Sequence, residues 1–148
     1  MMFVEGAMPQ ACERLVTLAD DAALIEAAKL LGNSGTDLVL VCDGDGLLVG
    51  VITKTDVVAQ IGGCQGNSCK MALRTVMSRD VLSCSPGDRM DAVWAGMSAR
   101  GLKNLPVLDA HSRPIGVLNA RDALKALMQE VEYEESLLRD YVEGVGYH

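Results

Sequence analysis

Aromatic side chains are scarce in this 148-residue sequence, where they make up 3% of the residues, with one Trp and one Phe. A platform that stacks the bases of single-stranded nucleic acid needs aromatic faces, so this class of protein is disfavoured. Positive charge is also in short supply, because 13 Lys and Arg stand against 20 Asp and Glu, for a formal net charge of −7. Binding a phosphate backbone needs clustered Lys and Arg. The composition therefore argues against a nucleic-acid partner.

The negative charge is concentrated near the C-terminal end of the sequence. Residues 129–148 carry six acidic side chains against the single Arg139, a balance of −5. The six are Glu130, Glu132, Glu134, Glu135, Asp140 and Glu143. The other 128 residues therefore carry only −2, and an anionic small ligand remains compatible with that part of the molecule.

Long hydrophobic runs are missing as well. No apolar stretch approaches the ~20 residues of a membrane span, and Met1–Gln10 lacks the basic segment followed by an apolar run that marks a secretory signal. Five cysteines form an odd set in a chain long enough to fold without disulfides, and Cys42 is interpreted as a small buried hydrophobe. These features predict a cytoplasmic protein.

What the sequence does contain is an internal repeat. Shifting it by 66 residues aligns positions 16–58 with 82–124 without a gap and gives six identities. The residues that recur 66 positions later are Gly35, Val41, Asp43, Gly50, Val51 and Asp56. Glycine and aspartate recur where backbone geometry or a polar contact restricts the choice of residue. The sequence therefore predicts two copies of one supersecondary unit.

Both copies show the same order of predicted elements: an amphipathic helix, a β-hairpin of two apolar strands, and a second helix. In the first copy these are a helix at Leu24–Leu31, strands at Leu38–Cys42 and Leu47–Ile52 joined by Asp43–Gly46, and a helix over Thr53–Ile61. In the second copy they are a helix at Met90–Met97 and strands at Leu105–Leu108 and Ile115–Leu118 joined by Asp109–Ser112. The last helix begins near Asn119, and its apolar stripe predicts a length of about 20 residues.

Further strands are predicted before the first helix of each copy, at Leu15–Leu18 and Val81–Cys84. Pro106, inside a predicted strand, implies an edge position or a missing ladder bond. The predicted division is a first repeat at 8–62, a glycine-rich linker loop at 63–74, a second repeat at 75–128 and an acidic helical extension at 129–148. The end of that extension, 144–148, is expected to fray.

The closing strand and helix of each copy carry one motif. It is Gly50–Asp56 in the first copy and Gly116–Asp122 in the second, each a strand that ends in a hydroxyl or amide residue with Asp three positions later. This spacing is typical of a helix N-terminal cap, and taken singly it predicts nothing more.

Its presence at the same place in both copies also favours a binding function. A helix N-terminus offers backbone N–H groups to an anion. The Thr53 hydroxyl can donate to a phosphate, and Asp56 or Asp122 can accept from the hydroxyls of a ribose. The combination points to a ribonucleotide.

The repeated unit resembles a pair of cystathionine-β-synthase (CBS) domains, often called a Bateman module. The resemblance rests on Gly50–Asp56, its relative Gly116–Asp122, Asn104–Val107 and the lead-in Met77–Val81, and it covers residues 8–128. It implies an α/β fold of the α+β type: two βαββα repeats packed about a pseudo-twofold axis, with a long C-terminal helix and two clefts between the repeats. In the family, such clefts often bind adenosine-containing ligands: AMP, ADP, ATP, S-adenosylmethionine or dinucleotides of the NAD type.

The resemblance also assigns roles by position. Thr53 would contact phosphate and Asp56 ribose in one cleft, and Asp122 would contact ribose in the other. Charged side chains would assist with phosphate, and the backbone before each hairpin would meet the base. The implied nucleotide-binding residues are Thr17, Asp37, Leu38, Val39, Thr53, Lys54, Asp56, Ser83, Lys103, Asn104, Leu105, Asn119, Arg121 and Asp122. Asn119 departs from the pattern, because the family has Thr or Ser there.

The resulting hypothesis is a regulatory module that binds an adenosine-containing ligand, signals to a partner protein and forms a homodimer through helices that include the C-terminal one. No catalysis and no required cofactor or metal are expected. The sequence contains no Gly-x-Ser-x-Gly elbow, no P-loop and no Gly-x-Gly-x-x-Gly, and its two histidines are far apart.

Two alternatives stay open. The apolar stripe continues into the acidic tail, at Leu127, Val131, Leu138 and Tyr141, and needs something to cover it. The protein could therefore be a ligand-free scaffold whose tail helix docks a partner. Cys64 and Cys69 could instead form a thiol or metal sensor, although their spacing is not that of a Cys-x2-Cys zinc site.

Overall fold

The fold repeats one unit twice, as the sequence predicts. The computed structural model describes residues 2–62 and 70–146, with the backbone alone for 143–146. In chain order the elements are a 3-10 turn (Val4–Ala7), α1 (Met8–Glu13), β1 (Thr17–Ala19), α2 (Leu24–Leu31), β2 (Leu38–Cys42), β3 (Leu48–Thr53), α3 (Lys54–Gly62), α4 (Leu73–Val76), α5 (Met90–Arg100), β4 (Asn104–Leu108), β5 (Pro114–Asn119) and α6 (Ala120–Gly146).

The first copy contains a three-stranded sheet in the order β1-β2-β3. β1 runs parallel to β2, with Thr17 opposite Leu40. β3 runs antiparallel to β2, with Ile52 opposite Val39. The central strand β2 is buried from Leu38 to Val41. A strand covered on both faces is apolar at successive positions, which is why its sequence shows no alternation.

The second copy has only two paired strands, β4 and β5, with Leu105 opposite Leu118. The strand predicted at Val81–Cys84 was wrong, because the segment makes a single parallel bridge, between Cys84 and Val107. In the first copy the Leu40 amide donates to the Val16 carbonyl over 2.9 Å. Pro106 occupies the equivalent position and has no N–H, so the corresponding bond to the 82 carbonyl cannot form.

Both predicted hairpins are present, and the repeated aspartates shape their turns. The Asp43 carboxylate accepts hydrogen bonds from the Asp45 and Leu47 amides, and the Asp109 carboxylate accepts from the His111 and Arg113 amides. In each case one side-chain oxygen satisfies two backbone N–H groups inside the turn, which is the role that Asp plays at such sites.

The repeated glycines Gly50 and Gly116 lie where another segment crosses a strand. A Cβ on Gly50 would stand 2.7 Å from Met77 Cγ and 2.9 Å from the Ser78 carbonyl oxygen. A Cβ on Gly116 would stand 3.0 Å from the Ala11 backbone, because α1 packs on β5. Ala11 and Met77 are themselves 66 residues apart, so the lead-in segment of each copy crosses the closing strand of the other.

The apolar core falls into one cluster in each copy and a third cluster that joins them. The first-copy cluster lies between α2 and the sheet, and the second-copy cluster lies between α5, α6 and the β4–β5 pair. The joining cluster contains Leu38 and Leu40 of β2 together with Val117 of β5. Strand faces from the two sheets therefore meet at the junction between the copies.

A short helix lies at the end of the predicted linker. Residues 63–69 lie outside the described residues, and α4 begins at the last two positions of the linker and continues to Val76. Leu73 in that turn is fully buried. The Leu73 amide donates to the Ala22 carbonyl over 2.9 Å, which ties the linker back to the first copy.

The last helix, α6, is longer than its sequence pattern predicts, with 27 residues. At 1.5 Å per residue it extends about 40 Å. It passes through position 128 without a break, so the second repeat and the acidic extension share one helix. The predicted fraying concerns 144–148, of which 147–148 lie outside the described residues and 144–146 continue the helix. Within residues 2–62 and 70–146, no helix combines the length and the apolarity needed to cross a membrane.

Candidate functional site

A crevice with a volume of about 780 Å³ lies between the two copies. The turn that opens α3 (Thr53–Thr55) and the turn that opens α6 (Asn119–Arg121) both line it. The remaining lining residues are Asp37, Leu38, Val51, Asp80, Val81, Leu82, Arg100, Gly101, Leu102, Lys103, Asn104 and Pro106. The volume is that of a small-molecule site.

Eight of the fourteen predicted site residues line this crevice. They are Asp37, Leu38, Thr53, Lys54, Lys103, Asn104, Asn119 and Arg121. Val39 and Leu105 do not, because they point into the cores and are 0% and 1% exposed. Ser83 lines a smaller neighbouring pocket, and Thr17 lies exposed on β1. Asp56 and Asp122 are absent from the lining, and each has another partner.

Asp56 serves the cap of α3. Its Oδ2 atom accepts hydrogen bonds from the Thr53 amide at 2.9 Å and from the Thr53 hydroxyl at 3.1 Å. The Asp56 amide in turn donates to the Thr53 hydroxyl oxygen at 3.3 Å. This reciprocal arrangement is a capping box. The Thr53 hydroxyl proton is thereby engaged with a carboxylate.

The hydrogen bonds at the start of α6, the equivalent helix of the second copy, are different. Asn119 Oδ1 accepts from the Arg121 amide at 2.9 Å, and Asn119 Nδ2 donates to Asn104 Oδ1 at 3.2 Å. Asp122 makes no capping bond to Asn119; its Oδ2 atom lies 2.5 Å from the Arg14 guanidinium, an ion pair without the alignment of a hydrogen bond. Arg14 follows α1, so a segment at the start of the first repeat holds the acid of the second.

The crevice carries more positive than negative charge. Four cations line it, Lys54, Arg100, Lys103 and Arg121, against the acids Asp37 and Asp80. Both acids are paired, since Lys54 lies 3.4 Å from Asp37 and Arg100 lies 3.7 Å from Asp80. Within the described part of the chain, Lys103 and Arg121 form no ion pair.

The backbone adds to this positive character. Both α3 and α6 begin at the crevice, and a helix N-terminus presents unpaired N–H groups and the positive end of its dipole. The excess of cations and the two helix origins make the crevice suited to an anionic ligand.

Ten lining residues are missing from the predicted set. Asp80 and Val81 belong to the lead-in segment of the second copy. The sequence feature that could have identified them is their place in the repeat, 66 positions after Arg14 and Leu15. Gly101 ends α5 with a left-handed φ of 66°, and its recurrence 66 residues after Gly35 marks it in the sequence. No sequence signal places Arg100 at the crevice, because its position depends on how α5 packs.

Two thiols of the described residues, the buried Cys84 and Cys42, which is only half-buried and not buried as predicted, are chemically quiet. Burial raises the pKa of the Cys84 thiol to about 12, with a further contribution from Asp88. Burial also raises the pKa of Cys42, assisted by Asp43. A thiolate is the form that binds metals and attacks electrophiles, so neither residue is poised for such chemistry. Among the residues described, no group of His, Cys, Asp and Glu could hold a metal ion. Cys64 and Cys69 lie outside those residues.

A model of the CBS domain family matches this sequence twice, at residues 11–63 and 73–129. Among curated proteins, a homoserine O-acetyltransferase of Methanococcoides burtonii is 28% identical over 110 residues, which are 74% of this chain and 22% of that protein. An L-aspartate semialdehyde sulfurtransferase of Methanocaldococcus jannaschii is 26% identical over 107 residues, 72% of this chain and 20% of that one. The chain thus spans about a fifth of the length of these relatives.

Solved structures share the fold over most of the chain. A CBS-domain-containing protein of Agrobacterium tumefaciens superposes with a TM-score of 0.71 at 26% identity, covering 84% of this chain and 92% of that one. CBSX2 in complex with AMP gives a TM-score of 0.74 at 20% identity, over 87% and 98% of the two chains. A CBS domain pair in complex with 5'-methylthioadenosine and S-adenosyl-L-methionine gives 0.72 at 22% identity, over 88% and 98%.

Proposed function

The chain belongs to the CBS domain family, and from that premise we propose that it is a regulatory module that binds an adenosine-containing ligand in the crevice between its two copies. The observation that carries the proposal is the crevice itself. The opening turns of α3 and α6 line one space of about 780 Å³, together with four cations. Two structures of the same fold were solved with AMP, or with 5'-methylthioadenosine and S-adenosyl-L-methionine.

The charge of the crevice favours the phosphate-bearing members of this ligand class. Lys103 and Arg121 have no acidic partner in the described structure, and a phosphate would supply one. S-adenosylmethionine carries a sulfonium cation and would add to the positive charge. We therefore expect AMP, ADP, ATP or NAD to be preferred, with Val81, Leu82 and Leu102 as the apolar wall for the base.

Ligand binding would affect the rest of the molecule through the first turns of α3 and α6. Asp56 Oδ2 already accepts from the Thr53 amide and hydroxyl, so a ribose bound at this carboxylate would share it with the cap of α3. Arg121 lies in the first turn of α6, whose far end projects from the body. A ligand can shift the molecule between two conformations only by as much as its affinities for them differ, and this difference limits the conformational change that a partner could sense.

The enzyme names of the relatives do not imply a catalytic activity for this chain. The matched portion is about a fifth of each relative, and the activities that their names state are not carried over to this chain. A second candidate function, a ligand-free docking scaffold, is favoured by the apolar side chains that α6 exposes, such as Leu138 at 66%.

Thermal unfolding with a panel of ligands tests the proposal. We expect AMP or ATP to stabilise the full chain, by about 2.7 kcal/mol at 100 times Kd, and S-adenosylmethionine to act less strongly. Lys103→Ala and Arg121→Ala should each weaken the nucleotide effect. The matched control is Lys29→Ala, an exposed cation of α2 outside the crevice. Absence of stabilisation by every ligand at millimolar concentration would reject the nucleotide proposal and favour the scaffold.

A further inference from the structure

The distal part of α6 is a helix without support from the rest of the described chain. Every side chain from Val131 to Val142 is exposed. The elements in contact with α6 are α5, β5 and the 3-10 turn, and they cover its first half. An isolated helix shorter than about 12–15 residues is marginal in water. The exposed half of α6 therefore needs a partner that buries apolar surface.

Five exposed apolar residues of α6 follow a heptad, while the exposed Tyr133, Leu137 and Tyr141 lie at other positions. Leu124, Met128, Val131, Leu138 and Val142 are separated by alternating steps of four and three residues, with Glu135 in the one remaining position. In heptad terms Leu124, Val131 and Leu138 occupy d, while Met128, Glu135 and Val142 occupy a. We call these six residues the α6 seam. Residues at a and d form the contact surface between the helices of a coiled coil.

We propose that the α6 seam pairs with the same seam of a second copy of this chain, in a parallel coiled coil. In a parallel pair each g residue faces the e residue five positions later on the partner helix. Glu134 occupies g and Arg139 occupies e, so this arrangement forms two Glu134–Arg139 ion pairs across the dimer. The flanking charges thus complement a second copy in the same orientation.

The antiparallel alternative places like charges together. The register that matches apolar residues sets Leu124 opposite Val142 and Met128 opposite Leu138. In that register e faces e and g faces g. Lys125 then meets Arg139, and each of Glu132 and Glu134 meets its own copy. Like charges at such flanking positions are destabilising, so the charge pattern selects the parallel orientation.

Glu135 is the polar residue of the seam. In the parallel dimer two Glu135 carboxylates meet in one a layer, which weakens the pairing but penalises shifted registers, as polar a residues do. The resulting dimer is dissociable rather than permanent. The proposal rests on α6 alone and holds whether or not the crevice binds a ligand.

Sedimentation equilibrium on the full chain tests this pairing. We expect a concentration-dependent dimer that Leu138→Glu weakens by roughly tenfold or more in Kd, because an unpaired charge enters the apolar seam. The matched control is Leu137→Glu, which adds the same charge at a neighbouring exposed position outside the seam and should leave Kd nearly unchanged. Circular dichroism checks that both variants remain folded. Glu135→Leu should tighten the dimer.

Charge exchange determines the orientation. In the parallel dimer Arg139→Glu weakens association by facing Glu134, and the double variant Glu134→Arg with Arg139→Glu restores it. In an antiparallel dimer Arg139→Glu would instead tighten association by facing Lys125. A wild-type chain that stays monomeric at every concentration tested, a dimer that survives Leu138→Glu, or tightening by Arg139→Glu would each overturn the proposal. If α6 instead binds a different protein, this chain would be monomeric in the assay.

Discussion

Two aspartates that occupy the same position of the repeat have different partners. Asp56 closes the cap of α3 because Thr53 offers a hydroxyl that both donates to the carboxylate and accepts from the Asp56 amide. Asn119 offers an amide, which bonds Asn104 and the Arg121 backbone and leaves Asp122 to the Arg14 guanidinium. A single difference in side-chain chemistry, Thr against Asn, thus changes the role of a repeated acid.

Replacing Asp56 with Ala removes the acceptor of two hydrogen bonds at the start of α3. We expect Asp56→Ala to lower the free energy of unfolding by about 1 kcal/mol or less, measured by chemical denaturation, and to weaken binding of the proposed nucleotide. Asp56→Asn keeps an oxygen acceptor and should recover most of the stability. An unchanged unfolding free energy in Asp56→Ala would contradict the capping role, and failure to fold would show that the carboxylate is mainly structural.

The elements of the two copies differ most at the edge of the sheet. β1 pairs with β2 over three residues, whereas the equivalent segment of the second copy makes one bridge at Cys84. The Cys84 amide still donates to the Pro106 carbonyl at 3.0 Å. What the second copy lacks is the donor that Leu40 supplies in the first, and one missing N–H is enough to shorten the pairing.

Restoring that donor should lengthen the strand. We expect Pro106→Ala, which supplies an N–H without adding volume, to slow amide hydrogen exchange in the segment before Cys84, because its backbone gains a pairing partner. The reverse change in the first copy, Leu40→Pro, should speed exchange in β1. Exchange followed by mass spectrometry measures both. Unchanged exchange before Cys84 in Pro106→Ala would show that other packing, and not the proline, keeps this segment out of the sheet.

At the scale of the whole molecule, the two halves of the crevice region are not equivalent. Asp80 and its neighbours line the crevice, whereas Arg14, 66 positions earlier, does not and is held by Asp122. The segment at the start of the first repeat therefore occupies the acid that a second ligand would need. This asymmetry predicts one ligand for each chain.

Calorimetric titration with AMP or ATP measures that stoichiometry. We expect the wild-type chain to bind one nucleotide and Arg14→Ala to retain that site, because Arg14 does not line the crevice. By freeing Asp122, Arg14→Ala should also expose a second, weaker site. Two equal sites in the wild-type chain would contradict the asymmetry while leaving the proposed function intact.

The sequence by itself determined the repeat, the order of the main helices and hairpins, and eight of the residues that line the crevice. These follow from local requirements: a turn needs the Asp43 carboxylate, a strand crossed at close range needs Gly50, and a helix cap needs Thr53 with Asp56. Such requirements act within a few residues or leave only one residue type acceptable, so they remain visible in the chain.

Only the tertiary structure decided which groups meet across long distances. Nothing local shows that Arg14 holds Asp122 or that Arg100 turns toward the crevice. These contacts arise when whole helices and strands pack, and each one joins segments that are many residues apart. Which side chains reach the crevice was therefore decided by packing between the copies and not only by the motif that they share.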